Sequence, residues 1–222
     1  PILLVRERGG LMVEIQVTHV SKSFGLHFLY KDLNFSCQGG QIHFILGPNG
    51  SGKSTLLKII GQLLSPDQGC VLAKVDGKEL SPEDYRACLG IVSPDLVLYE
   101  ELTAIENIKF LAGMRTLLEE TDLVDLLQEI GLGHVVYQTV NTFSTGMKQR
   151  LKFAVLVASQ AQVWILDEPT SNLDEEGKAF VRSIVDRAVD QGCTVLWATN
   201  ELGEVRADAT SIHIEIGRAS CR

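Results

Sequence analysis

A lysine, three hydroxyl side chains and three glycines crowd into Gly47-Pro48-Asn49-Gly50-Ser51-Gly52-Lys53-Ser54-Thr55. Residues 47–54 fit G-x-x-x-x-G-K-[ST] in full. This spacing suits phosphate binding. Glycines let the backbone curl until successive N–H groups face inward, and a helix starting there adds partial positive charge. Lys53 would then meet the outer phosphates of a nucleotide, and the Ser54 hydroxyl would ligate Mg²⁺. A second constellation is the apolar run Val163-Trp164-Ile165-Leu166 ending in Asp167-Glu168-Pro169. Asp167 suits holding Mg²⁺, and Glu168 suits polarising an attacking water. An ordinary acidic turn has the same look, so this reading gains its weight from the phosphate loop.

Such a loop needs a strand before it and a helix after it. Residues 41–46 read as that strand and 54–64 as that helix. Val13, Ile15 and Val17 alternate with polar residues, as in a half-buried strand. Short strands are expected at 71–75 and 89–92. Thr103 and Glu106 form a capping box, opening a helix to about residue 114. Further helices are expected at about 122–130, stopping at Gly131, and from just after Ser144 to about 159. A buried strand at 163–166, a helix at 175–190 and strands at 194–198 and 212–216 complete the pattern. The fold class is α/β, a P-loop NTPase with a mostly parallel sheet flanked by helices and an inserted helical subdomain. The domain is expected over 12–216, its core at about 12–94 and 151–216 and the helical subdomain at about 95–150. Met12 reads as a start, with residues 1–11 as an upstream extension lacking the apolar centre of a signal peptide. Residues 217–222 fit no period and are expected outside the domain.

Composition narrows the function classes. The 222 residues are 45% hydrophobic, enough for a real core. Acids outnumber bases 28 to 20, a net charge of -8 that argues against a nucleic-acid partner. Cys37, Cys70, Cys88, Cys193 and Cys221 are scattered without a C-x-x-C pair, so a reducing compartment is expected rather than disulfides or zinc. The richest apolar stretch, 153–166, is broken by Ser159, Gln160 and Gln162. A membrane role would therefore need a partner to supply the spans.

Three further segments carry a family resemblance. Phe143-Ser144-Thr145-Gly146-Met147-Lys148-Gln149-Arg150 resembles the signature segment of ABC-transporter ATP-binding subunits, usually LSGGQ followed by basic residues. Ser171-Asn172-Leu173-Asp174 resembles their D-loop, and Leu89-Gly90-Ile91-Val92 with Leu98 to Thr103 resembles the region around their Q-loop. The resemblance covers about residues 12–216. It implies a transport-coupled ATP hydrolase with ATP and Mg²⁺ as ligands, peripheral on the cytoplasmic face of the cell membrane and bound to a membrane-spanning permease. It also implies a homodimer packed head to tail over two ATP molecules. Ser144 and Gly146 would face the γ-phosphate held by the partner's loop; Ser144 alone also reads as a plain helix N-cap. Phe24 is the matching adenine-stacking aromatic, with a core role as its alternative and Tyr30 as the fallback.

Several positions depart from the family pattern. Thr145 and Met147 replace the usual glycine and glutamine. Pro94 stands where the Q-loop glutamine is expected, so that role is lost or passes to Asp95. Asn200 stands where the switch histidine is expected; as a turn residue it could instead cap the next helix. Asparagine donates a hydrogen bond but stays neutral, so slower hydrolysis is expected. The run Trp164 to Pro169, with Gln191-Gly-Cys-Thr-Val195, is similar to heme-exporter subunits of the cytochrome c maturation system, and the signature segment is common among exporters. An exporter is therefore expected, with heme as the narrower suggestion. The competing readings are a regulatory ATP-binding module, favoured by Pro94 and Asn200, and a soluble ABC ATPase, which usually carries two such domains or long coiled coils. No Asn-Lys-x-Asp guanine motif supports a GTPase.

Overall fold

The computed structural model describes residues 12–113, 118–206, 209–215 and 218–221. The extension expected over residues 1–11 lies outside them. Three short strands with every residue buried form the centre: β3 (Ile42–Leu46), β7 (Val163–Asp167) and β8 (Thr194–Thr199). Strands buried on both faces read as near-continuous apolar runs, and parallel sheets covered by helices have that character. With β6 (Leu89–Val92), β9 (Thr210–Glu215) and β10 (Arg218–Cys221), they make a six-stranded sheet ordered β10-β9-β3-β8-β7-β6. All neighbours are parallel except β10, which runs antiparallel to β9. Residues 218–221, expected outside the domain, thus extend the sheet edge by backbone pairing, which needs no side-chain period.

A second sheet gathers the expected strands at 13–17 and 71–75 with two that were not foreseen. β1 (Val13–Phe24), β2 (His27–Cys37), β4 (Gln68–Val75) and β5 (Lys78–Glu79) form an antiparallel sheet ordered β2-β1-β4-β5. Between the sheets lies α1 (Lys53–Ile60), which buries Leu56, Leu57, Ile59 and Ile60 against Val13, Ile15 and Tyr30 on one side and Ile45, Ile165 and Leu196 on the other. The helix ends at Gly61, earlier than expected, because Leu63 and Leu64 N–H groups turn back to the Lys58 carbonyl. A further helix, α2 (Pro82–Cys88), starts at a Ser81 cap and was not foreseen.

The opposite sheet face carries α3 (Ala104–Leu111), α4 (Glu120–Glu129), α5 (Thr145–Ala158) and α6 (Glu175–Asp190). Thr103 and Glu106 make the expected capping box. Residues 114–117, where α3 was expected to end, are outside the described set. The helices share a core with Phe44, Trp164, Leu166 and Trp197 of the sheet.

Candidate nucleotide-binding site

The phosphate-loop candidates sit where β3 turns into α1. Gly52 has φ 98°, a left-handed conformation, and a Cβ there would meet Leu29 and Tyr30 side-chain atoms at 3.2 Å. A Cβ on Gly47 would lie 2.5 Å from both the Ile214 carbonyl and Ser51 Oγ. Both positions therefore require glycine on steric grounds. Pro48, Asn49, Gly50 and Ser54 are exposed, whereas Ser51 and Lys53 are buried. Lys53 Nζ donates to the carbonyls of Gly47 at 2.9 Å and Pro48 at 3.3 Å, and lies 3.6 Å from Glu168 Oε1. The loop lysine and the candidate catalytic carboxylate thus share one spot, although 115 residues separate them in sequence (168 − 53).

Sheet register explains how they meet. Leu46 pairs with Thr199 and Asp167 with Ala198, so β3, β8 and β7 end along one carboxyl edge. Ligands of open α/β sheets bind at that edge. Glu168 adopts φ 47°, and its N–H donates to the Ala198 carbonyl at 2.9 Å. A left-handed non-glycine residue costs about 1–3 kcal/mol and is held only where its surroundings over-determine it. Asn200 follows β8 directly, and its Nδ2 donates to Asn49 Oδ1 of the loop at 3.0 Å. It does not cap the following turn, whose N-terminal residue is Glu201. Asp167 is buried, and its Oδ1 has no hydrogen-bond partner among the described residues; the same holds for Ser51 Oγ. Orphaned buried acceptors of this kind suit a cation or a phosphate-bound group. Among the described residues no three acidic, histidine or cysteine side chains form a metal cage. Mg²⁺ does not require one, since waters and substrate phosphates fill most of its shell.

The ABC transporter family model matches residues 30–171. The chain belongs to the ABC transporter family. It is an ATP-binding subunit, an ATPase that powers transport together with membrane permease components. It is 34% identical over 191 residues to the lantibiotic transport ATP-binding protein SrtF of Streptococcus pyogenes, spanning 86% of this chain and 82% of that one. To the cytochrome c biogenesis ATP-binding export protein CcmA of Idiomarina loihiensis it is 31% identical over 189 residues, 84% and 85% of the two chains. A solved structure of an ABC-transporter ATP-binding subunit superposes with TM-score 0.80 at 26% identity, covering 93% of this chain and 89% of that one. No helix among the described residues of this ABC subunit is long and apolar enough to cross a membrane.

The remaining candidates fall elsewhere on the subunit. Ser144 is the N-cap of α5, its Oγ accepting from the Met147 N–H at 3.2 Å. With Gly146 it borders a cavity of about 150 Å³ whose other walls include Arg150, Asp174 and Phe180, not the phosphate loop. Pro94 is exposed and carries no donor. Asp95 is held by Lys58 at 2.8 Å, and that lysine keeps its carboxyl below the usual range. Phe24 is 54% exposed at the end of β1, so it is not a core residue. Tyr30 is fully buried and cannot serve as the fallback stacking ring.

Some residues that support this site escaped the sequence reading. Glu204 is buried and accepts from Thr199 Oγ1 at 2.6 Å and from Thr170 Oγ1, joining the turn after Glu168 to the end of β8. Gln149 Nε2 donates to the Pro169 carbonyl at 2.6 Å, fastening α5 to the same turn. No local signal marked Glu204, since one partner, Thr170, lies in a turn 34 residues away.

Proposed function

We propose that this ATPase cleaves ATP with Glu168 as the residue that polarises the attacking water. The approach of buried Lys53 to Glu168 at 3.6 Å is the observation that carries this reading. Lys53 would neutralise the outer phosphates, while backbone N–H groups between Asn49 and Thr55 would cradle them. Ser54 and Asp167 would hold Mg²⁺, which when bound supplies charge neutralisation of the phosphate oxygens. Asn200, already hydrogen-bonded to Asn49, would donate toward the same phosphate. Phe24 offers a half-exposed ring for adenine.

In this reading a second copy completes the site with Ser144 and Gly146, whose exposed helix start lies away from the chain's own loop. A cleft of about 300 Å³ between Leu96, Val97, Thr145 and Lys152, with Tyr99 and Phe110 exposed nearby, suits the apolar surface of a permease. The chain then works peripherally at the cytoplasmic face of the membrane. Export is the direction we favour, supported by the export function of the CcmA relative. Heme as cargo draws support from the cytochrome c biogenesis relative, whereas the lantibiotic-transport relative is more similar at 34% against 31%. The regulatory-module alternative draws on Pro94 and Asn200; the Lys53–Glu168 approach opposes it. Glu168→Gln tests the reading. Turnover should fall by roughly 10²–10⁴-fold while ATP binding persists. Turnover near the parent rate would remove Glu168 from that role.

A further inference from the structure

The aromatic platform of the proposed nucleotide site is gripped from below by an ion pair. Phe24 is the last residue of β1, beyond a register shift between Lys22 and Ser23. Strand irregularities of this kind re-aim side chains and leave local backbone in need of other support. Here that support is Asp67, in the segment that leads from α1 to β4. Its Oδ1 accepts from Lys22 Nζ at 2.8 Å, and its Oδ2 accepts from Ser23 N at 2.7 Å and Ser23 Oγ at 2.8 Å. Lys22 Nζ also donates to the Ser65 carbonyl at 3.0 Å. With two of its protons so engaged, the ammonium lies 5.5 Å from the centroid of the Phe24 ring. That is within the range of a cation–π contact. Only 11% of the Lys22 side chain is exposed, so water screens the contact weakly.

Resting on the reading that Phe24 stacks on adenine, we propose that Asp67 is a positioning residue for base recognition, acting through Lys22 and Ser23 to hold the Phe24 ring. Asp67 fixes the two residues that precede the ring, and Lys22 occupies one ring face, leaving the exposed remainder for a base. The clamp also ties the platform to the segment leaving α1, the helix that starts at the phosphate loop. Base and phosphate subsites are thereby held at a set separation, which is what preorganisation of a two-part ligand requires. Lys22 and Ser23 hold the Asp67 carboxyl down at about 2, so the clamp stays ionised at neutral pH. The adenine moiety should gain from this clamp, and the phosphates should not.

The test compares a nucleotide with its phosphate chain alone. Affinities of the full chain for adenylyl imidodiphosphate and for inorganic tripolyphosphate, both with Mg²⁺, are measured by calorimetry. Asp67→Asn and Lys22→Met should each weaken nucleotide binding by roughly three- to tenfold and leave tripolyphosphate binding unchanged. Lys22→Arg, which keeps both the ion pair and the cation over the ring, should bind the nucleotide like the parent. Phe24→Ala separates the inference from the reading beneath it. If Phe24→Ala weakens nucleotide binding and the two clamp variants do not, the clamp is wrong and the stacking stands. If Phe24→Ala changes nothing, the stacking reading fails and the clamp with it. Equal weakening for both ligands would mark mere damage to the sheet and overturn the proposal.

Discussion

On the proposed reading, Asn200 is the residue whose chemistry would most limit the rate. Its amide reaches the phosphate loop through Asn49, which supports the proposed match to the family's switch histidine. Asparagine donates one neutral hydrogen bond there, whereas imidazolium would donate a charge-assisted one about twice as strong. Asn200→His should therefore raise ATP turnover by roughly three- to tenfold, a gain of about 1 kcal/mol in transition-state stabilisation. The gain depends on the protonated ring, so it should be larger at about pH 6 than at about pH 8. A pH–rate comparison of parent and variant checks both statements; an unchanged rate at both pH values would remove Asn200 from the phosphate's vicinity. Pro94 has no such remedy at Asp95, whose carboxylate is engaged by Lys58.

At the scale of elements, the site is a junction of three strand ends, and Glu204 fastens two of them. Its carboxylate, accepting from Thr170 and Thr199, couples the turn carrying strained Glu168 to the strand that delivers Asn200. Glu204→Ala leaves two buried hydroxyls without their acceptor and should cost about 2–4 kcal/mol of stability, read from the urea midpoint. Turnover should fall with it, since Glu168 loses the contact that holds its turn. A cost below about 0.5 kcal/mol would show that the turn is fixed by other contacts. Much of this level could be seen beforehand. The fully buried, mostly apolar β3, β7 and β8 and the capped α3, α5 and α6 sit within a few residues of their expected places, because burial on both faces and cap chemistry are local signals. Of the antiparallel sheet only β1 and the 71–75 half of β4 were expected; β2 alternates only in part, and β5 is two residues long. Glu204 and Asp67 were invisible for another reason: Glu204 draws meaning in part from Thr170, and Asp67 from Lys22 and Ser23, all tens of residues away, and side-chain hydrogen bonds leave no period in a sequence. Phe24 was read as one of two open choices, and exposure alone separated it from Tyr30.

The whole molecule divides its chemistry between two surfaces. The loop, Asp167, Glu168 and Asn200 gather at the carboxyl edge of the parallel sheet, while Ser144 and Gly146 open onto a different cavity beside Asp174. On the proposed reading these are the two halves of a composite site, and head-to-tail pairing of two copies is the arrangement that would unite each loop with a partner's α5. Gln149 and Arg150 already tie the start of α5 to its own chain, through the Pro169 carbonyl in the turn after β7 and Glu176 at the start of α6. Closure of such a pair would then move the helical layer, and with it the cleft lined by Val97 and Lys152, as one body. The measurement that tests this most directly is steady-state ATP turnover with Mg²⁺ as a function of protein concentration. The rate per molecule should climb with concentration and then saturate, as a composite site requires. A rate per molecule that is independent of concentration, with the chain monomeric throughout, would contradict it.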